Sequence, residues 1–395
     1  MKHASIVPLI GGETLGQMNA FNSKPEYLLS YKPFKNNDFH LVNYLKDVPY
    51  ILLDDDGKVP YSVDVINSVC PCAGLSTLSH GYGDHNDNNK WMIETAKLVL
   101  NELKPEVFWG ENAPGFAAKI GENVRNQLRQ IGKMNGYTMS VYRTKSLLHG
   151  LPQVRERSFY FFWKNTKTPI LNFYNKQYIP IETLITNVKS NFQTEVISKK
   201  TPSKDDPYYR YILEEIHSGI SHKEFASIIE PKNARNDDIL SYIEKYRNYL
   251  EVAEWMKKEG LEKEVEKCKR RYEKLKNGQS FMRRNTVIPR DYIGAFVGHY
   301  PTKLTHPVED RYISYREAMS IMGMPKDFEL VNASPSKANH ICQNVPVQTA
   351  TDMATEVLAY LNNERELVDS DYVMQYNSSS KIDYQSNRSL KNFFQ

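Results

Sequence analysis

Cysteine is scarce in this chain, with four among 395 residues. So few thiols in so long a chain build no disulfide framework, and a reducing cytosol is the expected compartment. Long apolar runs are missing too. SFYFFW (158–163) is far shorter than the roughly 20 residues a membrane-spanning helix requires. The opening MKHASIVPLIGG holds no apolar segment of signal-peptide length, so neither a signal peptide nor a membrane span is expected. Neither sign of charge dominates: 51 Lys and Arg face 47 Asp and Glu, a formal net charge of +4. That balance permits an acidic partner such as nucleic acid without arguing for one. What is present is an ordinary globular composition, 40% hydrophobic and 25% charged, at a length that allows a large domain and a second one.

The first 165 residues alternate short apolar runs with helical patterns. ASIVPLI (4–10), YILL (50–53), SVDVINSVC (62–70), PEVFWGEN (105–112), TMSVYRT (138–144) and RSFYFFW (157–163) have strand character. WMIETAKLVLNELK (91–104) and FAAKIGENVRNQLRQIGKMNGY (116–137) have apolar residues near helical spacing. The alternation predicts an α/β fold, a doubly wound sheet covered on both faces, with its chemistry at the carboxyl ends of the strands. From residue 166 to 305 the chain turns polar and irregular, then charged and helical. Leu261, Val265, Cys268, Tyr272 and Leu275 form an amphipathic stripe, and Gly260 is expected to break its helix from the preceding one. The predicted result is a helical hairpin packed on its own domain, with KCKRRYEKLK as a solvated basic face. Globular patterning returns over 306–365, with helices expected in 312–328 and 345–361. Residues 366–395 are polar and aperiodic and are predicted to be a flexible tail.

Three segments at strand ends carry chemistry-bearing side chains. NSVCPCAGLS (67–76) places Cys70 and Cys72 around Pro71 in a turn. A thiol there can be a nucleophile, a structural turn residue, or, with His80 and His85, a metal ligand, although one C-x-C pair is weak metal spacing. In WGENAPGF, Glu111 ends an apolar strand, where burial can raise a carboxyl pKa; alone, it is equally a helix cap. In LPQVRERSFYFF, Arg155 and Arg157 alternate at a strand start and point to one side, suited to a base carbonyl, a phosphate, or a plain ion-pair ladder.

Taken together and in order, PCAGLS (71–76), ENA (111–113) and QVRER (153–157) resemble the signature of the C5-cytosine DNA methyltransferases. RYISYREAMSIMGMPKDF (311–328) resembles that family's R-x-[ST]-x-R-E…G-[FM]-P-x-x-F block, and CQNVPVQTA (342–350) its Q-x-G-N-x-V-P block. The resemblance implies a Rossmann-like catalytic domain built from 1–165 and 306–365 around a smaller target-recognition domain at 166–305. It implies S-adenosyl-L-methionine as cofactor and double-stranded DNA as partner, with the protein acting as a monomer. A companion restriction enzyme is left open. The implied catalytic residues are Cys72 as nucleophile on a flipped cytosine, Glu111 at ring N3, and Arg155 and Arg157 fixing the base and orienting the loop. Ser76, His80, Gln153 and Arg311 are the implied nucleic-acid contacts, with HGYGDHNDNN (80–89) as a mobile lid. The cofactor would lie against Leu9, Gly11, Gly12, Ser30, Tyr31, Asp54, Pro71, Asn344 and Val345; no metal is implied.

The first block departs from the family. Its pattern is close to F-x-G-x-G-G, and here the text is PLIGGETLG, with Leu9 standing where an aromatic is expected. Gly12 and Gly16 can serve the tight turn in another register. Ser30 replaces the acid expected to hold the ribose, Tyr31 follows it where an aromatic can stack on adenine, and one of Asp54, Asp55 and Asp56 supplies a third acid. The family's glycine before Asn344 is missing. Two readings follow: the same cofactor held by a hydroxyl in place of a carboxylate, or a modified sulfonium donating another group. A cytosine-5 methyltransferase acting on tRNA and a catalytically silent DNA-binding relative are the alternatives.

Overall fold

The computed structural model describes residues 1–395 except 32, 35–41, 54–59, 72, 77–82, 84–85, 191–194, 230–238, 282–285, 299, 330–337 and 385–395. Cys72, Asp54, Asp55, Asp56, His80 and His85 therefore lie outside the described residues, as does half of the expected lid.

The strands are β1 (His3–Ile6), β2 (Tyr27–Ser30), β3 (Tyr50–Leu52), β4 (Val65–Ser68), β5 (Val107–Asn112), β6 (Thr138–Lys145), β7 (Glu156–Trp163), β8 (Thr168–Pro169), β9 (Leu367–Val368), β10 (Tyr372–Tyr376) and β11 (Lys381–Tyr384). Nine form one sheet in the order β11-β10-β6-β7-β5-β4-β1-β2-β3, and β8 pairs with β9 beside it. β1 to β5 run parallel, while β7 lies antiparallel between β5 and β6. The sheet is thus mixed. The chain winds outward from β1 to β3, then returns to place β4 on the other side of β1. This reversal opens a crevice at the carboxyl ends of β1 and β4. Every residue of β4 and β5 is buried, which accounts for their near-continuous apolar runs.

Helices cover both faces. On one, Ala4, Ile66, Phe108 and Phe162 meet α2 (Asn89–Leu98) and α3 (Glu122–Met134) through Met92, Ala96, Val124 and Leu128. On the other, Val65, Trp109, Phe161 and Trp163 meet the closing helix Val347–Leu361 through Met353, Ala354 and Val357. Trp109, Phe161 and Trp163 stack in sequence, with centroids 6.0 and 5.1 Å apart. α1 (Gly12–Phe21) packs against that closing helix. A Cβ on Gly16 would lie 2.4 Å from the Ala350 Cβ. Gly16 therefore sits inside a helix at a close crossing, not in the turn expected for it.

The central helices follow the sequence pattern. α4 (Ile239–Tyr246), α5 (Tyr249–Lys258) and α6 (Glu262–Lys276) share an apolar cluster with Tyr209, Ile212 and Phe225, and Gly260 breaks α5 from α6 at φ 71°. Val265 and Cys268 are buried along the predicted stripe. Three cations of the basic run have local partners: Arg271 lies over the Tyr208 ring at 4.7 Å, and Lys267 and Lys269 pair with Glu264 and Glu266. α7 (Tyr315–Ile321) opens on a reciprocal Ser314–Glu317 cap, and the chain turns at Gly323.

One expectation fails at the C-terminal end. Residues 367–384 are not a flexible tail, because β10 adds to the sheet edge parallel to β6 and β11 pairs back on β10. Val373 is buried, and the Gln375 amide bonds both the N–H and the C=O of Leu171. A five-residue strand reading YVMQY has no distinctive periodicity of its own; the open edge of β6 supplies what the local sequence lacks.

Gly16→Ala is expected to destabilise the protein by about 1–3 kcal/mol through the Ala350 clash. In urea unfolding the midpoint should fall with the slope unchanged.

Candidate active site

The site is assembled from the turn after β1, the ends of β4 and β5, the start of β7 and the segment before the closing helix. In the turn, Val7 and Leu9 adopt left-handed φ of 51° and 54°, and Gly11 follows at 93°. A left-handed side chain costs about 1–3 kcal/mol, a cost that glycine avoids. With Gly11 and Gly12 as the closing pair of F-x-G-x-G-G, Leu9 occupies the first glycine's position and Val7 the aromatic's. The register expected from sequence shifts accordingly.

Gly12 is constrained from the far end of the chain. Its N–H donates to Asn344 Oδ1 at 2.8 Å, and a Cβ at Gly12 would lie 2.0 Å from the Val345 carbonyl oxygen. The glycine therefore lets the last block pack onto the first. Asn344 and Val345 are both buried.

Arg155 fixes the same segment from the opposite side. It is 2% exposed and donates from Nη1 to the carbonyls of Phe296 and Cys342, each at 2.6 Å, and from Nη2 to that of Asn344 at 3.1 Å. This correction concerns its role: the guanidinium is held by main chain from the central region and the last block, so it positions those segments instead of presenting its fork to a base. Arg157 does reach Glu111. In the β5–β7 register Glu111 opposes Phe159, which places Arg157 diagonally across on the same face. Arg157 Nε lies 2.5 Å from Glu111 Oε1, as an ion pair more than an aligned hydrogen bond. Both side chains are nearly buried. Asn112 caps the turn that follows, through Oδ1 to the Ala113 N–H.

At the end of β4, the Cys70 Sγ contacts Ser68 Oγ, Thr95 Oγ1 and the Trp91 carbonyl, and burial pushes its thiol up to about 11. It is a packed thiol and a poor nucleophile. Pro71 is half-buried and leads to the short turn Ala73–Leu75, with Ser76 after it.

Gln153, Arg311 and Tyr31 among the remaining expected contacts have internal partners. Gln153 is buried and donates from Nε2 to the Ile321 carbonyl at 2.9 Å, holding the end of α7. Arg311 pairs with Glu317 at 2.7 Å and Glu309 at 2.8 Å. Neither is presented as a nucleic-acid contact, because each is occupied in bracing α7. Ser30 is buried at the end of β2, and its Oγ has no hydrogen-bond partner. Tyr31 packs its ring 4.9 Å from Trp91 and bonds Thr95 Oγ1 at 2.9 Å. Among the described residues no group of three His, Cys, Asp or Glu side chains is placed to hold a metal.

Sequence reasoning passed over Glu13. It follows the glycine pair in the first turn of α1, is fully buried, and has no ion-pair partner among the described residues. Burial, with the Glu111 charge nearby, holds its carboxyl well above the usual range, and the Asn67 amide offsets this only in part.

With this geometry in place, the comparisons with known proteins are specific. Residues 37–359 match the profile of the C-5 cytosine-specific DNA methylase family, and the chain belongs to that family. Among curated proteins it is similar to the type II methyltransferase M.PspPI of Psychrobacter sp. (strain TA137), 22% identical over 328 residues, covering 79% of this chain and 69% of that one. Its fold is similar to that of a candidate DNA modification methyltransferase encoded within an E. coli prophage, at TM-score 0.57 and 14% identity, covering 92% and 99% of the two chains. The Entamoeba histolytica methyltransferase EhMeth gives TM-score 0.55 at 12% identity over 92% and 98%, and S. pombe Dnmt2 gives 0.53 at 12% over 92% and 99%.

Arg155→Met should leave buried carbonyls without a donor and destabilise the protein by about 1–3 kcal/mol for each that water does not reach. Thermal melting should show a larger loss for Arg155→Met than for Arg157→Met.

Proposed function

We propose that the protein is a DNA (cytosine-5)-methyltransferase that transfers a methyl group from S-adenosyl-L-methionine to C5 of a flipped cytosine through a covalent adduct at Cys72. The observation that carries this reading is that blocks far apart in sequence meet at the strand ends, Arg157 with Glu111 and Asn344 with Gly12.

The chain's residues fit the cofactor. Ser30 Oγ is a buried polar atom without a partner among the described residues at the end of β2, suited to a ribose hydroxyl, and the Gly11–Gly12 turn follows the end of β1. Leu9, Pro71 and Val345 would complete its walls, with Tyr31 supporting the adenine side. When bound, the cofactor would supply a methyl group made electrophilic by a sulfonium. Cys72, as thiolate, would add to C6 of the ring, making C5 nucleophilic. Glu111 would hold N3 and relieve the negative charge that gathers there, with Arg157 fixing the carboxyl's position. Loss of the C5 proton with elimination of the Cys72 sulfur would restore aromaticity and free the enzyme. The central helical region would read the DNA target, with base flipping supplying access.

Cys72→Ser and Cys72→Ala are expected to abolish tritiated-methyl incorporation into duplex DNA; turnover by either variant would refute the mechanism. Duplex DNA containing 5-fluorocytosine should trap the protein as a covalent adduct at Cys72. Glu111→Gln should lower the turnover rate by about 10²–10⁴-fold. Transfer RNA assayed alongside should accept no label.

A further inference from the structure

Glu13 has a buried carboxyl with no cationic partner among the described residues. Leaving such a group unsatisfied costs free energy, so a buried carboxyl is normally paired, or stays neutral until something pairs it. The groups around it are identifiable. Glu111 faces it from the end of β5, Cys70 from the end of β4 and Tyr160 from β7, and none of these supplies a positive charge. Asn67 on β4 offers an amide. The cations nearby are engaged, Arg157 by Glu111 and Arg155 by main-chain carbonyls. One turn further along α1, Gln17 bonds His3 and Trp109. On the closing helix packed against α1, Asp352 is held by His149 and Lys176, and Glu356 by Arg365. Among the described residues Arg157 is therefore ion-paired with Glu111, while Glu13 has no ion-pair partner of its own.

The missing partner has a natural source. A methyl donor acting on a base held by Glu111 must bring its sulfur close to Glu111, beside the glycine turn that carries Glu13. We infer that Glu13 is the counter-charge for the cofactor's sulfonium: it binds that centre as a carboxylate and takes back a proton once methyl transfer has left a neutral thioether. This rests on the proposed cofactor. The protons balance over a cycle. Sulfonium binding displaces the Glu13 proton to solvent, and on transfer the C–S electron pair stays on sulfur, its positive charge is lost, and Glu13 regains a proton from water. The α-ammonium and carboxylate groups are common to donor and product, so only the sulfur distinguishes them. Glu13 thereby favours donor over spent product.

The sign of the pH dependence follows from its cause. Burial and Glu111 raise the free enzyme's Glu13, so below that raised pKa a sulfonium must expel a proton to bind, and affinity should climb with pH, then level off. The full-length protein would be titrated calorimetrically with S-adenosylmethionine and, separately, S-adenosylhomocysteine, between about pH 6 and pH 9, in buffers of different ionisation enthalpy. For the wild type, the sulfonium should release up to one proton more than the thioether, with affinity rising by up to about tenfold per pH unit. Glu13→Gln keeps the shape and loses the charge. It should erase the difference in proton release and weaken sulfonium binding about tenfold, leaving thioether binding within about threefold. Equal proton release by the two ligands in the wild type, a measurement that needs no variant to fold, would overturn the inference and leave the cofactor assignment standing. Persistence of the difference in a folded Glu13→Gln would overturn it as well. Binding of neither ligand would remove the cofactor assignment and this inference with it.

Discussion

The Arg155 guanidinium is the point on which the rest of the site depends. It sits just before β7, and its fork joins carbonyls from the central region at Phe296 and from the last block at Cys342 and Asn344. Asn344 in turn accepts from the Gly12 N–H. Four stretches that are remote in sequence are thereby tied within two side chains of each other. A planar, permanently charged group with several fixed donors suits this task, and a lysine would lack the geometry to serve three carbonyls at once. Main-chain acceptors share the charge without neutralising it, so the last block is held close while the neighbouring Arg157 remains available to Glu111.

The division of labour between the two arginines bears on how much was legible. The order of blocks from Pro71 to Asn344 pointed to the right family, and the strand-end positions of Glu111 and Cys70 followed from apolar runs that stop at polar residues. The alternation in QVRER showed that the arginines were not interchangeable with a random basic pair, but both were expected to face a base. Only the sheet register, with Glu111 opposite Phe159, separates the one that reaches the carboxylate. Gln153 and Arg311 likewise matched family positions while carrying structural roles, because a motif records which residue is needed without recording what it touches.

Other features lacked any local signal. Glu13 resembles the ordinary acid of a helix's first turn, and its isolation is visible only once α1 is placed over β4 and β5. Gly16 resembles part of a glycine-rich turn, yet it is spent on a helix crossing with Ala350. β10 and β11 are short and lack a clear alternation, and they form because β6 would otherwise be an open edge. In each case the deciding partner lies far along the chain, beyond the reach of periodicity or propensity.

The Gly12–Asn344 hydrogen bond joins residues 332 positions apart. During synthesis at about 5–20 residues per second, the glycine turn emerges roughly 20 s to a minute before the residue that braces it. Through that interval the turn, with Val7 and Leu9 in costly conformations, lacks its Asn344 partner, and closing so long a loop carries its own entropic cost. The nascent chain can lay down the parallel strands early, yet the cofactor crevice is a late product of folding. A chain whose synthesis stops short of Asn344 therefore lacks the contact that braces the glycine turn, however many of the parallel strands it has already formed.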